Sequence, residues 1–407
     1  MKNGWQYKKV SEIAKYSLGK MLDKAKNKGE LKPYLRNFNV RWFDFDLSDV
    51  LEMRFLAEEA AKYTAVKGDV LICEGGYPGR AAIWEQDEPI YFQKALHRVR
   101  FHEPERSKWF LYYLYAKDLV GTLKTHFNGA GIQHFTGEAL AQFEVPLPPL
   151  PEQKRIVGIL DEAFDGIATA KANAEKNLKN ARALFESHLQ SVFTQRGKGW
   201  VERKFEDVCH KITDGTHHSP QKQFSERGPG RFPYITSKNI RNNYMDLSNV
   251  AYIERAFHDE VYARCQPRLG DVLLTKDGAN TGTVTLNTLD EPFSLLSSVC
   301  LIKTNQAVLR PAFLCYYLQS STGLNSIVGQ MTGAAIKRIV LKDIKKAAIP
   351  FPPLKEQDNI VTTLNSLLAE TQRLASIYQQ KLAALDELKK SLLHRAFNGE
   401  LIKDNGQ

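Results

Sequence analysis

Residues 145–160 read VPLPPLPEQKRIVGIL and residues 349–364 read IPFPPLKEQDNIVTTL. One unit, a proline cluster followed by Glu-Gln-x-x-Ile-Val, thus recurs after 204 residues in a chain of 407. A period of half the length means that the chain is built from two homologous halves. Ordered pairs extend the repeat: Gly4-Trp5 with Gly199-Trp200, Pro33-Tyr34-Leu35 with Pro233-Tyr234-Ile235, and Asn39-Val40 with Asn239-Ile240. Gly68-Asp69-Val70-Leu71 matches Gly270-Asp271-Val272-Leu273, Tyr112-Tyr113-Leu114 matches Tyr316-Tyr317-Leu318, and Gly129-Ala130 matches Gly333-Ala334. The offset drifts from 195 to 204, as small insertions require.

After each proline cluster the pattern becomes helical. From Glu152 to Gln195 there is no proline, and apolar residues recur at Ile156, Leu160, Ala163, Ile167, Ala170, Ala174, Leu178, Ala181, Leu184 or Phe185, Leu189 and Val192. From Glu356 to Phe397 they recur at Ile360, Leu364, Leu367, Thr371, Leu374, Tyr378, Leu382, Leu385, Leu388, Leu392 and Ala396. Steps of three and four over about six heptads form the seam of a coiled coil. Each helix should run roughly 60–65 Å at ~1.5 Å per residue. Pro148-Pro149 and Pro352-Pro353 hold the entry extended, and Pro151 fits a first turn. Glu152 and Glu356 complement the free amides there, and Gly197 and Gly399 are the expected stops.

Between the helical segments, short apolar runs alternate with turns. Val70-Leu71-Ile72, Val272-Leu273-Leu274 and Val299-Cys300-Leu301-Ile302 read as buried strands. Trp109–Tyr115 and Pro311–Ser320 read as short aromatic helices. The expected architecture is α+β, with globular domains at 1–150 and 199–353 and spacer helices at 151–198 and 354–407. Two equal apolar stripes in one chain predict antiparallel pairing, with a domain at each end of a rod and a pseudo-twofold axis between them. Pairing between chains, as a dimerisation arm, is the alternative.

Composition narrows the class. A chain that is 43% hydrophobic and 25% charged belongs with globular proteins, long enough for two or three cores. No apolar run approaches the ~18 residues that span a bilayer, and Met1–Lys20 lacks a signal-like apolar stretch, so a cytoplasmic protein is expected. Cys73, Cys209, Cys265, Cys300 and Cys315 are scattered and never form Cys-x-x-Cys, which predicts reduced, mostly buried thiols. A net charge of +10 points to a polyanionic partner.

Two divergent domains, each closed by the proline–Glu-Gln–Ile-Val unit and a long helix, resemble the specificity subunit of type I restriction–modification enzymes. Thr213-Asp214-Gly215-Thr216-His217 and the Pro-Tyr-Ile run of 233–240 resemble segments of that family's target recognition domains. The resemblance covers essentially the whole chain. It implies that each domain reads one half of a bipartite double-stranded DNA target, and that the helices set the spacing. It implies docking of two methyltransferase and two motor-nuclease (restriction) subunits, with Glu152, Gln153, Ile156, Leu160, Glu356, Gln357, Ile360 and Leu364 at the spacer and docking segment. S-adenosylmethionine, ATP and Mg2+ would belong to those partners, which would methylate adenine N6, and this chain would hold no cofactor. Similar modules place half-site centres about one helical turn, ~34 Å, apart. The domains share only scattered framework residues, which predicts an asymmetric target.

Candidate DNA contacts are basic, amide and aromatic side chains on loops. In the first domain these are Lys20, Lys24, Lys26, Lys28, Arg36, Asn37, Arg41, Tyr77 and Arg80, the lysine run reading equally as a solvated loop. In the second they are Thr216, His217, His218, Lys222, Arg231, Lys238, Arg241, Asn242, Lys276 and Asn280, with Lys337 and Arg338 after Gly333-Ala334-Ala335-Ile336. Lys276–Asn280 reads as the counterpart of the Gly76–Arg80 loop.

Signals of chemistry are weak. Cys209-His210 and His217-His218 lack paired zinc-ligand spacing, and Lys276–Thr283 lacks the Gly-Lys-Ser/Thr of a phosphate loop. Glu387-Leu388-Lys389 resembles half of a nuclease set, but Leu388 falls on the expected seam and the chain has no Pro-Asp pair. The Asn-Pro-Pro-aromatic segment of adenine methyltransferases is also missing from the sequence. The expectation is recognition without catalysis. The alternative is a coiled-coil adaptor that binds proteins, which salt-dependent duplex binding would separate from it.

Overall fold

The computed structural model describes residues 4–23, 25–328 and 339–402. The chain divides into two compact units, one comprising 1–175 with 380–407 and the other 176–379.

In unit 1 the strand expected at Val70-Leu71-Ile72 extends over Val70–Cys73 and is wholly buried. It is the third strand of a four-stranded antiparallel sheet ordered Ala14–Leu18, Leu96–Phe101, Val70–Cys73, Ala81–Ile83. A second sheet runs Leu51–Phe55, Glu30–Leu35, Ile90–Phe92, Thr64–Ala65, with the central pair parallel. Unit 2 repeats this design. One sheet runs Cys209–Asp214, Val299–Thr304, Val272–Thr275, Val284–Leu286, and the other Ala251–Glu254, Arg231–Ile235, Ser294–Leu295. The helix Arg255–Cys265 stands where unit 1 has the short helical turns Ala57–Glu59 and Ala60–Tyr63, and the matching sheet of unit 2 has three strands among the described residues. The five thiols are free, four buried and Cys209 half-buried.

The proline clusters close each domain by pairing back to its first strand, Gln6–Lys9 with Glu144–Leu147 and Val201–Lys204 with Ala348–Phe351. The long helices follow at once, Leu150–Thr194 (45 residues) and Leu354–Phe397 (44 residues). The Glu-Gln of the repeated unit has a definite role at this joint. Successive prolines leave carbonyls that lack a helical partner, and the glutamine folds back onto one of them. Gln153 Nε2 donates to Pro148 O at 2.7 Å and Gln357 Nε2 to Pro352 O at 2.8 Å. Gln357 also donates to Val308 O and accepts from the Arg310 amide, both at 2.8 Å, so it ties the aromatic helix Pro311–Gln319 to the long one.

Each domain core is completed by both long helices. In unit 1, Ile156, Val157 and Leu160 from the start of the first helix share a core with Leu393 and Ala396 from the end of the second, against Trp109–Leu114. In unit 2, Phe185, Leu189 and Phe193 from the end of the first helix share a core with Leu364 from the start of the second, against Phe313–Leu318. The helices therefore run antiparallel within each unit and pair within one chain. Lys171 and Asp386 bridge them at 2.7 Å in unit 1.

The seam departs from expectation at one place. Leu388 is 47% exposed, and the inward position belongs to Lys389, whose ammonium lies 4.5 Å from the Phe164 ring centroid and 4.8 Å from that of Tyr115. Apolar spacing predicts a three-residue step from Leu385, whereas the helix takes four, because an aromatic pocket accepts a lysine as readily as a leucine.

Candidate nucleic-acid interface

In the first domain the Gly75–Arg80 loop and the Asn37 turn are built as one piece. Gly76 and Gly79 have positive φ (77° and 84°), and a Cβ on Gly76 would lie 2.2 Å from Asn37 Nδ2. Asn37 Nδ2 donates to Gly75 O at 3.1 Å, and an Arg80 guanidinium nitrogen donates to Asn37 O at 2.9 Å. The guanidinium also sits 4.0 Å from the Tyr77 ring centroid. Arg80 is therefore a half-buried brace, and Tyr77, 56% exposed, is what the loop presents. Phe38, 65% exposed on the neighbouring turn, and Ile132, 75% exposed on the loop whose His134 lies beside Gly75, share this surface. Sequence reasoning passed over both, because exposed apolar residues carry no polar signal.

The basic candidates separate by burial. Lys20 is 8% exposed and donates to Glu59 Oε2 and to Arg54 O, with Phe55 against its ammonium. That is a correction: Lys20 is an internal ion pair, not a DNA contact. Arg36 is committed to Asp49 at 2.6 Å, and Arg41 to Asp46 at 3.0 Å while remaining exposed. Lys26 and Lys28 are exposed, and Lys24 lies outside the described residues.

In the second domain the Thr-Asp-Gly-Thr-His segment is an internal clasp. Asp214 is 3% exposed, 2.6 Å from Arg264, 3.2 Å from Lys276 and 3.3 Å from His217. Burial alone would raise its pKa, but hydrogen bonds from Arg264 and Lys276 prevail and hold it below the usual carboxylate range. A Cβ on Gly215 would lie 2.0 Å from Leu295 O, so only glycine fits, and the Thr216 amide then donates to Leu295 O at 2.7 Å. Thr216 and Lys276, 4% and 3% exposed, are therefore corrected to structural roles. His217 faces Asp214 and His218 faces Glu260 at 3.5 Å, both remaining exposed. Among the described residues no three His, Cys, Asp or Glu side chains are placed to hold a metal ion.

The open face of this domain is made by other residues. Lys222 and Lys238 are exposed, and Lys238 borders a cavity of about 370 Å³ with Gln223, Ser237 and Asn249. Arg231 stacks on Phe224 at 3.6 Å, and Arg241 faces Asp246 at 3.5 Å. Asn242 Oδ1 accepts from the Val284 amide, and Asn280 Nδ2 donates to Ser237 O at 3.4 Å. Lys337 and Arg338 lie outside the described residues.

Backbone hydrogen bonds fix which loop residues correspond. In the first domain Cys73 N donates to Arg80 O, Gly79 N to Cys73 O and Arg80 N to Tyr77 O. In the second, Thr275 N donates to Thr283 O, Gly282 N to Thr275 O and Thr283 N to Asn280 O. Tyr77 thus stands opposite Asn280, and Arg80 opposite Thr283, which shifts the register expected from sequence. One turn carries an aromatic in one domain and an amide in the other.

The same duplication is recognised by a model of the type I restriction modification DNA specificity domain, which matches twice, over residues 2–180 and 197–380. The chain belongs to this DNA specificity family. The specificity subunit of the type I restriction enzyme EcoBI from Escherichia coli is 26% identical over 341 residues, covering 79% of this chain and 71% of that one. The MjaVIII specificity subunit from Methanocaldococcus jannaschii is 22% identical over 98% of this chain and 93% of its own. Among solved structures, an HsdS subunit from Thermoanaerobacter tengcongensis superposes with a TM-score of 0.65 at 20% identity over 98% of both chains. A chain from a type I restriction–modification system studied for complex assembly and conformational transition gives 0.76 at 21% identity, over 98% of this chain and 99% of that one. These likenesses show the fold.

For this specificity-family chain, five of the eight expected docking residues are corrected to structural roles. Gln153 (1%), Ile156 (1%), Leu160, Gln357 and Leu364 (each 0% exposed) are buried in their own unit. Ile360 packs against the same core as Leu364, and Glu356 accepts from the Trp200 indole at 3.2 Å. The five buried side chains hold a domain to its helix, whereas Glu152, Glu356 and Ile360 are half-buried, each also with an interaction within the chain.

Proposed function

We propose that this chain is the non-catalytic DNA-reading subunit of a type I restriction–modification complex, and that its two domains read unlike halves of an asymmetric bipartite target. The observation that carries the reading is one loop geometry shared by both domains, with exposed Tyr77 on it in the first and half-buried Asn280, donating to Ser237 O, at the matching place in the second. An amide offers hydrogen bonds to a base edge, here through the Oδ1 left free of the Ser237 bond, whereas an aromatic ring offers apolar contact, so like scaffolds present different chemistry to DNA. Exposed lysines such as Lys26, Lys28, Lys222 and Lys238 supply phosphate contacts that position but do not specify.

Methyltransferase and restriction subunits dock on the outward faces of the long helices, since the inward faces are filled by core. S-adenosylmethionine, ATP and Mg2+ act on those partners. The absence from the sequence of an Asn-Pro-Pro-aromatic segment supports placing methyl transfer elsewhere.

Fluorescence anisotropy on duplexes carrying the cognate site tests the reading. Binding should weaken steeply with salt, and Asn280→Ala should relax preference in one half-site only, by roughly 1–3 kcal/mol. Salt-independent binding, or loss of preference in both halves together, would contradict it. Incubation with labelled S-adenosylmethionine and DNA, without partners, should transfer no methyl group.

A further inference from the structure

The two domains are fastened to their helices by the same bonds but by different side chains. In unit 1 Tyr112 donates to Asp161 at 2.8 Å, and in unit 2 Tyr316 donates to Asn365 at 2.5 Å. Beside this shared bond each domain presents a hairpin turn, and here the units diverge. Phe43 (φ 67°) and Asn243 (φ 70°) are counterparts: their amides donate to Ala81 O at 3.2 Å and to Val284 O at 3.3 Å.

Asparagine enters the left-handed region readily, but a bulky aromatic does so only where its surroundings hold it there. Phe43 is held. Its ring lies 5.1 Å from Tyr112, 5.0 Å from Tyr115 and 6.2 Å from Phe164 on the first long helix. Lys389, on the second long helix, closes the cluster with its ammonium over Phe164 and Tyr115 and 6.0 Å from Phe43. One hairpin residue thus grips both helices through rings and a cation.

At matching positions unit 2 carries Asn243, Gln319, Leu368 and Phe185 in place of Phe43, Tyr115, Phe164 and Lys389. Asn243 is exposed and makes a side-chain bond to Gln319 at 2.8 Å. It borders two open cavities. One of about 500 Å³ is lined by Phe185, Gln190, Asn242, Gln319 and Leu368, and one of about 230 Å³ by Thr285, Tyr316 and Asn365. At the hairpin turn itself the unit 2 joint is hollow and polar where that of unit 1 is filled by rings. The cavities of unit 1, about 370 and 140 Å³, lie away from Phe43, beside Lys154–Asp161 and Lys390–Asn398, and Gln190 and Gln357 tie unit 2 to its helices elsewhere.

We propose that Phe43 and Lys389 are positioning residues that lock the first domain onto its helix pair, while the second domain rocks on its own pair at the Asn243 joint. Under the DNA-reading function above, on which this consequence rests, the first domain sets the frame and the second adjusts to the duplex.

The test is the width of the distance distribution between spin labels on the full chain without DNA, in a background lacking the half-buried Cys209. Labels at Glu58→Cys and Asn173→Cys span the unit 1 joint, and labels at Asp259→Cys and Ile377→Cys span that of unit 2. The unit 2 distribution should be about twofold wider or more. Phe43→Asn should widen the unit 1 distribution towards that of unit 2, and Asn243→Phe should narrow the latter. Tyr115→Gln, which copies Gln319, makes the same test should Phe43→Asn fail to fold. Equal widths in the parent, or an unchanged unit 1 width in a folded Phe43→Asn or Tyr115→Gln variant, would overturn the proposal. No DNA is present, so failure of the DNA-reading function leaves this outcome unaffected, and failure here leaves that function standing.

Discussion

A lysine 3% exposed beside an aspartate 3% exposed is held in place by charge that water cannot screen. Asp214→Ala would strand Lys276 without that carboxylate and should cost roughly 3–5 kcal/mol in urea unfolding. Lys238→Ala, on an exposed side chain, should stay within about 0.5 kcal/mol of the parent while lowering the salt slope of DNA binding by about one. In one sequence these lysines look alike. Lys276 meets its carboxylate across 62 residues of chain, and nothing local announces the encounter. His97 makes a separate prediction. Burial pushes its pKa down to about 4 from 6.5, partly opposed by its bond to the Phe135 carbonyl, so the folded state holds it neutral. A depressed value means that the stability is complete above pH 6.5 and is lost as pH falls towards 4, by roughly 3 kcal/mol. Cys300 occupies the matching place in the second domain and does not titrate in acid. Acid should therefore weaken unit 1 through His97, while unit 2 loses stability on acidification through buried His258 and Asp214, whose pKa values are also lowered. Four of the five tryptophans (Trp5, Trp42, Trp84, Trp109) lie in unit 1, so indole fluorescence reports it, and His97→Asn should move its acid transition to lower pH.

Elements were legible where one physical rule governed them. Val70-Leu71-Ile72 and Val272-Leu273-Leu274 read as buried strands because a strand covered on both faces is a continuous apolar run, and the strands Val70–Cys73 and Val272–Thr275 are wholly buried. The long helices read as helices because an apolar stripe persists at the helical period. Leu388 was misplaced because hydropathy scores a leucine above a lysine and does not register three aromatic rings that accept a cation. Leu160→Ala should accordingly cost roughly 2–5 kcal/mol, and Leu388→Ala less than about 0.5, in thermal or urea unfolding. The proline–Glu-Gln unit was legible as a boundary but not as a lock. Gln357→Ala removes three hydrogen bonds at once and leaves Pro352 O and Val308 O unpaired, a loss of roughly 1–3 kcal/mol at the start of the second long helix. Hydrogen exchange of residues 354–364 should rise accordingly.

At the scale of the whole chain, duplication was the strongest signal, since it needs no knowledge of any single contact. It gave two domains, two helices and their order. It could not say which side chain of a loop faces outward. Tyr77 and Arg80 are three residues apart, and only the bond from Arg80 to Asn37 decides that the arginine braces while the tyrosine is presented. The central claim is that one scaffold, used twice with different side chains, reads two different half-sites. Mapping of methylated adenine across the genome of a host, with and without this chain beside its methyltransferase partner, tests that claim most directly. The account predicts a new motif of two unlike specified parts separated by unspecified bases. A palindromic or uninterrupted motif, or no change in methylation, would contradict it.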